Sequence, residues 1–238
     1  MKPFDLKSYK VCQQILNKGC VESFTELFYL KSSTFICDND EIMSTLVEVL
    51  QKAEIDYNIE NYESYLQNCE TLVQTLQDSL KGTPQQSNHV LAYFLQKLDR
   101  AAQKVGDQNA EMRANYKLGT VMIDIDNVRS IEYFERYMQL ARTLDISVEK
   151  KRAAQMLCTS YSKYATQKQK EGDYPTSIQF FLKALESARA NKDRKIEYRM
   201  CKCLCDVYRC DNQVSASLPT DPLDIAIFAY LKHILDRK

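Results

Sequence analysis

Long runs of apolar residues spaced three and four apart constrain the fold of this chain more than any other feature. One run extends from Ile59 to Leu80 and predicts the apolar face of a helix of about six turns. Residues 42–53 and 90–105 have the same spacing. Only five glycines and five prolines interrupt 238 residues, whereas a β-sandwich or barrel of this length requires many more turn residues. The sequence therefore predicts an all-α fold of long helices joined by short turns.

Glycine, proline and short polar residues mark the predicted helix ends. Gly82 and Pro84 end the second long helix, and Gly106 ends the third. Residues 32–37 predict a loop. The side chains expected to cap the helices around Ile42 and Val90 are Asp38 or Asn39 and Ser87 or Asn88.

Beyond about residue 109 the helices follow a tetratricopeptide-like repeat. In the clearer hairpin, Ala165 is the small residue at the helix crossing, Gly172 ends the first helix and Pro175 opens the second. Ser177 and Phe181 complete that hairpin on its second helix. The corresponding residues of the preceding hairpin are Leu118, Gly119, Ser130 and Phe134.

The spacing of equivalent small residues shows that these hairpins are elongated. Gly119, Ala165 and Cys205 are separated by 46 and 40 residues, compared with about 34 in the usual unit. We therefore predict an α-solenoid of elongated helical hairpins preceded by a helical region. The predicted segments are an N-terminal helical region at 1–108, repeats at 109–212 (units 109–145, 150–191 and a partial unit 194–212), and a loop with a C-terminal helix at 213–238.

Stacked hairpins leave a concave surface formed by their first helices, where a peptide or helix of a partner usually binds. In chaperone-binding repeat domains, Lys and Asn at fixed groove positions hold a terminal carboxylate. Thr, Ser and Tyr occupy those positions in the first two units, which argues against that role. The basic residues of the third unit either bind an acidic partner or form a solvated surface. The predicted groove residues are Arg113, Tyr116, Thr120, Ile123, Thr159, Ser162, Thr166, Gln169, Arg199, Lys202, Asp206 and Arg209.

Charge and composition disfavour several other functions. Lys plus Arg equals Asp plus Glu at 32 each, so the basic excess of a nucleic-acid-binding protein is missing. No apolar stretch approaches the roughly 18 residues of a membrane span. The chain opens without an apolar signal segment, so we expect its nine cysteines to be reduced thiols in the cytoplasm. The expected partners are therefore other proteins, with no nucleic acid and no membrane.

The remaining chemistry-bearing residues predict no enzyme, no cofactor, no metal and no small-molecule substrate. His89 and His233 are the only histidines, and the isolated glycines form no phosphate-binding loop. We expect the tyrosines at 57, 62 and 65 to pack in the core, and the alternative is that they belong to a partner-binding surface. The cysteine cluster comes closest to a zinc site, but helical geometry separates its members and favours packing; these are Cys201, Cys203, Cys205 and Cys210.

The N-terminal segment carries a family resemblance. Ser8-Tyr9-Lys10, Cys12, Gly19, the run Ser-Phe-Thr-Glu-Leu-Phe at 23–28 and Leu30 resemble the opening of the tetratricopeptide repeat protein 29 family. Weaker likeness continues through Ala53-Glu54 and the two hairpins, so that it spans about residues 4–208.

This resemblance implies a non-catalytic scaffold or adaptor of the ciliary or flagellar axoneme. It implies a cytoplasmic, cytoskeletal protein that supports flagellum assembly and beating, including sperm motility, with dynein-associated partners. Members of the family are longer and carry further repeats, whereas here the pattern is lost after Asn212, which suggests a shortened or diverged member. The residues alone also allow a cytosolic adaptor in transport or signalling.

Overall fold

The computed structural model describes residues 6–32, 40–79 and 86–214, and within these ranges it contains ten α-helices and no β-strand. The all-α fold class is therefore confirmed. The helices divide between two compact units, Met1–Asp126 and Asn127–Lys238.

In the first unit, each helix packs against the next one along the chain. The short connections make neighbouring helices antiparallel, as in a helical hairpin. Their apolar stripes meet in a core that includes the fully buried Leu27, Leu46, Leu72 and Phe94. The helices are α1 (Leu6–Asn17), α2 (Val21–Ser32), α3 (Asp40–Asn58), α4 (Tyr62–Ser79), α5 (Gln86–Val105) and α6 (Gln108–Met122).

The second unit repeats this arrangement, and its longest helix, α8, has 24 residues. The α8–α9 hairpin confirms the predicted crossing, because Ala165 and Ser177 are both fully buried and the Ser177 hydroxyl donates to the Ala165 carbonyl at 2.9 Å. Phe181 fills the adjacent space and is also buried. The helices are α7 (Asn127–Thr143), α8 (Ser147–Lys170), α9 (Tyr174–Ala190) and α10 (Arg194–Val214).

Six of the turns between consecutive helices share one backbone motif. In each turn one residue has a positive φ, between 52° and 81°, and the next N–H donates to the carbonyl five residues back. This Schellman geometry satisfies carbonyls left open at a helix end and normally uses glycine. The left-handed residues are Gly19, Gly106 and Gly172, together with Glu60, Asp145 and Lys192.

The structure corrects several predicted helix limits. Ile59 does not belong to α4, because Glu60 adopts a left-handed φ of 60° that separates α3 from α4 and leaves Ile59 65% exposed. Ser87 and Asn88 are not caps, because α5 already begins at Gln86. The loop predicted from residue 32 does not include Ser32, which ends α2.

Other predictions fall partly or wholly outside the described residues. The predicted caps Asp38 and Asn39, the stop signal Gly82–Pro84 and most of the loop and C-terminal helix predicted at 213–238 are in this group. Helix α10 continues to Val214, two residues beyond the predicted end of the partial unit. The repeat predicted at 109–145 takes α6 from one compact unit and α7 from the other, and the predicted domain limits stay predictions.

Candidate partner-binding faces

An open cleft of about 440 Å³ lies between α4 and α6 in the first unit, and we call it the α4–α6 cleft. Both helices pack against α5, which contributes the buried Leu98 to the lining. The volume falls within the range of sites that hold a small ligand or a few side chains. The polar lining residues are Glu70, Thr71, Gln74, Thr75, Asp78, Arg113 and Lys117.

Mixed charges line this cleft and partly neutralise one another. Arg113 Nη2 lies 2.7 Å from Glu70 Oε1, and Lys117 Nζ donates to Gln77 Oε1 at 3.0 Å. Burial lowers the pKa of Lys117 although the Glu70 carboxylate opposes that effect. The Arg113–Glu70 pair is about half exposed, so it contributes little to stability and can exchange for partner groups.

Of the four groove residues predicted on α6 and at its C-terminal end, only one lines the cleft. Arg113 lines the cleft, and Thr120 is exposed with its hydroxyl donating to the Tyr116 carbonyl at 2.9 Å. Tyr116 and Ile123 are half-buried. Lys117 was not among the predicted groove residues, and the α4 side of the cleft was not predicted because α4 lies outside the predicted repeats.

In the second unit, α8 presents a stripe of short polar side chains. Thr159 and Thr166 are exposed, while Ser162 and Gln169 are half-buried. The three hydroxyls donate to carbonyls of their own helix, at 3.0 Å from Thr159, 3.4 Å from Ser162 and 2.8 Å from Thr166. These hydroxyl donors are already satisfied and their side chains are short. The stripe is therefore a polar surface that a partner chain can approach closely.

Helix α10 adds positive charge to the same unit. Arg199 and Lys202 are exposed and Asp206 is half-buried, while the side chain of Arg209 lies outside the described residues. Burial raises the pKa of Cys158 on α8 to about 11, and the nearby Arg199 charge opposes that rise. Helices α8 and α10 both pack against α9, so Arg199 brings its charge beside the first helix of the hairpin.

A groove of about 490 Å³ in this unit is lined by α7 and α9, the second helices of the repeat register, together with α8. Met138 of α7, Leu157 of α8 and Glu186 of α9 line it. Tyr161 also lines it and donates to Glu135 at 2.6 Å, so part of its polar edge is already satisfied. Sequence reasoning missed this groove because its lining comes from three helices.

The cysteine cluster is packed only in part. Cys201 is buried as predicted, whereas Cys205, also expected in the core, is half-buried. Cys203 and Cys210 are half-buried too. Among the described residues, no group of three or more His, Cys, Asp or Glu side chains could hold a metal ion. In that same part of the chain, no helix is both long and apolar enough to cross a membrane.

The residues that carry the family resemblance make structural contacts. The Ser23 hydroxyl donates to Glu54 Oε2 at 2.6 Å, and the Ser23 N–H reaches the same oxygen at 2.7 Å. Glu26 lies 2.7 Å from Lys97 Nζ, and Leu27 is fully buried. The run at 23–28 therefore anchors α2 to α3 and α5, and it joins two of the segments on which the resemblance rests.

Comparison with known proteins adds no family assignment. No protein-family model matches the chain, and no curated protein matches it.

Proposed function

We propose that this chain is a non-catalytic protein scaffold or adaptor whose first-helix faces hold segments of partner proteins. The observation that carries the proposal is the two-sided character of α8. One side is buried through Ala153, Leu157 and Ala165, and the other exposes the polar stripe that contains Thr159 and Thr166. A surface helix with a wide polar face and a packed apolar face leaves its backbone geometry fixed while it offers side chains to a partner.

The chemistry of these faces suits a peptide or helix better than a small substrate. The α4–α6 cleft is open and mixed in charge, and the α8 stripe is shallow. Exposed Arg199 and Lys202 add attraction for an acidic segment and would speed its encounter with α10. Peptides recognised in this way bind through several modest contacts along a helical face.

The cellular setting that we propose is the ciliary or flagellar axoneme. Its support is the resemblance of the N-terminal segment, and in particular the run at 23–28 with its buried Ser23–Glu54 contact. In that setting the chain is a cytoskeletal component that supports flagellum assembly and beating through axonemal or dynein-associated partners. A cytosolic adaptor in transport or signalling is the alternative.

Co-sedimentation with demembranated axonemes tests the proposed setting. A tagged chain expressed in ciliated cells is expected to remain with the axonemes after detergent extraction and to be released by high salt, since polar contacts hold it. Recovery of the whole tagged pool in the detergent-soluble fraction would contradict the axonemal proposal. Proximity labelling separates the alternative, which requires cargo or kinase neighbours instead of axonemal ones.

Variants of the α8 stripe test the proposed face. The double change Thr159→Arg and Thr166→Arg adds bulk at two exposed sites and is expected to abolish sedimentation without loss of helix content. Gln179→Arg on α9 is the matched control, because Gln179 is also exposed and lies on a second helix. Equal loss in both variants, or in neither, would contradict the assignment of the binding face to α8.

A further inference from the structure

A pocket of about 250 Å³ lies where α2, α3, α4 and α5 meet in the first unit, and we call it the α5 pocket. It shares no lining residue with the α4–α6 cleft. The cations in its lining are Lys97, Arg100 and Lys104. They lie at steps of three and four along α5 and so share one side of that helix. The other lining residues are Glu22, Tyr57, Tyr65, Tyr93, Gln96 and Ala101.

Lys97 is the inner cation and its charge is already neutralised. Its Nζ lies 2.7 Å from Glu26, whose side chain is 2% exposed, and 3.2 Å from Glu22. The Lys97 side chain is itself only 12% exposed. Burial raises the pKa of Glu26 against the effect of Lys97, and the paired carboxylates keep the pKa of Lys97 above its ordinary value in spite of burial. This ion pair joins α2 to α5 beside the pocket.

The two outer cations have no carboxylate partner among the residues that the structure describes. The Arg100 side chain is exposed and makes no hydrogen bond or ion pair with them. Lys104 Nζ donates to the Tyr57 hydroxyl at 3.0 Å and lies 4.3 Å and 4.5 Å from the ring centres of Tyr57 and Tyr62. The tyrosines orient this ammonium group and leave its positive charge available to an anion.

Aromatic rings form the walls beside these cations. Tyr57 packs against Tyr65 with ring centres 5.2 Å apart, and Tyr93 packs against Phe94 at 5.0 Å. Tyr57 and Tyr93 remain 39% and 43% exposed, which is high for large aromatic side chains. Exposed tyrosines next to arginine are characteristic of sites where proteins bind one another.

We propose that the α5 pocket binds an acidic side chain of a partner protein, with an adjacent apolar residue of that partner resting on Tyr57 and Tyr93. A carboxylate there accepts hydrogen bonds from the guanidinium of Arg100 and the ammonium of Lys104. The arginine can bind it in a two-point manner that fixes its orientation. The pocket is smaller than most small-molecule sites, and its volume fits one or two side chains.

Charges around the pocket favour a single carboxylate over a phosphate-rich polymer. Glu22 in the pocket lining and Glu26, which is buried against Lys97, repel further negative charge, while only Arg100 and Lys104 remain for the ligand. Nucleic-acid binding depends on neutralising many phosphates, and the whole chain has no net positive charge. An acidic peptide segment therefore matches the site.

Fluorescence anisotropy with the full-length chain tests the proposal. The probe is a fluorescent, terminally blocked peptide with three glutamates around one phenylalanine. We expect saturable binding with a Kd below about 1 mM at low ionic strength. Arg100→Gln and Lys104→Gln are each expected to weaken it roughly tenfold, which is typical for loss of a hydrogen bond to a charged group. Arg100→Lys is expected to recover part of that loss, since it restores the charge without the two-point geometry.

Matched controls distinguish this site from general charge attraction. Lys151→Gln removes an exposed charge from α8 and is expected to leave binding within about twofold of the unchanged chain. The same peptide with glutamine in place of glutamate is expected not to bind. Circular dichroism verifies that the Arg100 and Lys104 variants retain their helices, so that weak binding cannot come from unfolding.

Four results would overturn the proposal: no saturable binding at 1 mM peptide, equal binding of the glutamine peptide, full binding by Arg100→Gln, or a preference for a phosphoserine peptide or an oligouridine. The outcome does not depend on the axonemal setting. Co-sedimentation can fail while peptide binding persists, and the reverse result is equally distinguishable.

Discussion

The turns on either side of α9 predict that two substitutions change the free energy of unfolding in opposite directions. Gly172 and Lys192 occupy the same left-handed position of the same turn motif, with φ of 81° and 56°. A Cβ at Gly172 would meet no atom within 4 Å, so Gly172→Ala tests backbone conformation without steric interference. Lys192 is exposed, and its side chain makes no hydrogen bond or ion pair among the described residues, so Lys192→Gly leaves the backbone bond from the Lys192 N–H to the Arg189 carbonyl in place.

The size of each change in the free energy of unfolding follows from two competing effects. A left-handed conformation costs an L-residue about 1–2 kcal/mol relative to glycine. Glycine loses about 0.5–1 kcal/mol more than alanine on folding because its unfolded chain is freer. The difference predicts that Gly172→Ala destabilises the chain by about 0.5–1 kcal/mol and that Lys192→Gly stabilises it by a similar amount. For a chain of this size each corresponds to a change in Tm of about 1–4 °C.

Urea unfolding followed by circular dichroism at 222 nm measures both free energies. Lys202→Gly is the control, because it places glycine at an exposed site inside α10, where the expected cost is about 1 kcal/mol. If Lys192→Gly also destabilises the chain, or if Gly172→Ala has no effect, the left-handed turn is not the source of the energy difference and the reasoning is refuted.

Three further predictions concern packing, capping and thiol reactivity. Ala165→Leu is expected to destabilise the chain by about 1–3 kcal/mol because it overfills the fully buried α8–α9 crossing, whereas the half-buried Ser162→Leu changes urea stability by less than about 0.5 kcal/mol; equal effects would contradict the close crossing. Asp107→Ala removes the acceptor of two backbone N–H groups at 2.9 Å and 3.0 Å and is expected to cost about 1 kcal/mol in the same assay, so an unchanged free energy would refute its capping role. Burial raises the pKa of Cys69 to about 12, so its thiolate fraction at pH 8 is on the order of 10⁻⁴. Mass spectrometry after iodoacetamide treatment at pH 8 is expected to show the half-buried Cys210 alkylated long before Cys69, and the reverse order would contradict the described burial.

Residue patterns with a direct local cause were predictable from the sequence. Gly106 follows the end of α5, and Pro175 lies in the first turn of α9, as the sequence predicted. The Ala165–Ser177 crossing was also predictable, because small residues at helix crossings follow from steric demands alone. These features depend on a few neighbouring positions or on one hairpin, where spacing carries the necessary information.

Turns without glycine were harder to recognise. Glu60, Asp145 and Lys192 adopt the left-handed conformation that glycine adopts elsewhere in the chain. The rest of each turn supplies the compensation, because an N–H to carbonyl bond closes it, as between Ile146 and Ala141 at 3.1 Å. Apolar spacing therefore continued across Glu60 in the sequence argument and wrongly placed Ile59 in α4.

The α5 pocket could be predicted only in part, because its lining comes from four helices. The sequence indicated the tyrosines at 57, 62 and 65, with core packing as the first expectation. Tyr65 is indeed buried, whereas Tyr57 is partly exposed and receives a hydrogen bond from Lys104. The three-and-four spacing of Lys97, Arg100 and Lys104 was a visible signal, but nothing in it showed that Glu26 would neutralise only the first cation.

Site-specific photo-crosslinking in extracts of ciliated cells tests most directly whether the first-helix faces hold partner proteins. A benzophenone side chain placed singly at Thr159, Thr166 or Lys202 is expected to capture the same partner, while the same group at Gln179 on α9 captures none. Capture from Gln179 alone, or equal capture from all four positions, would show that α8 and α10 do not form the binding face.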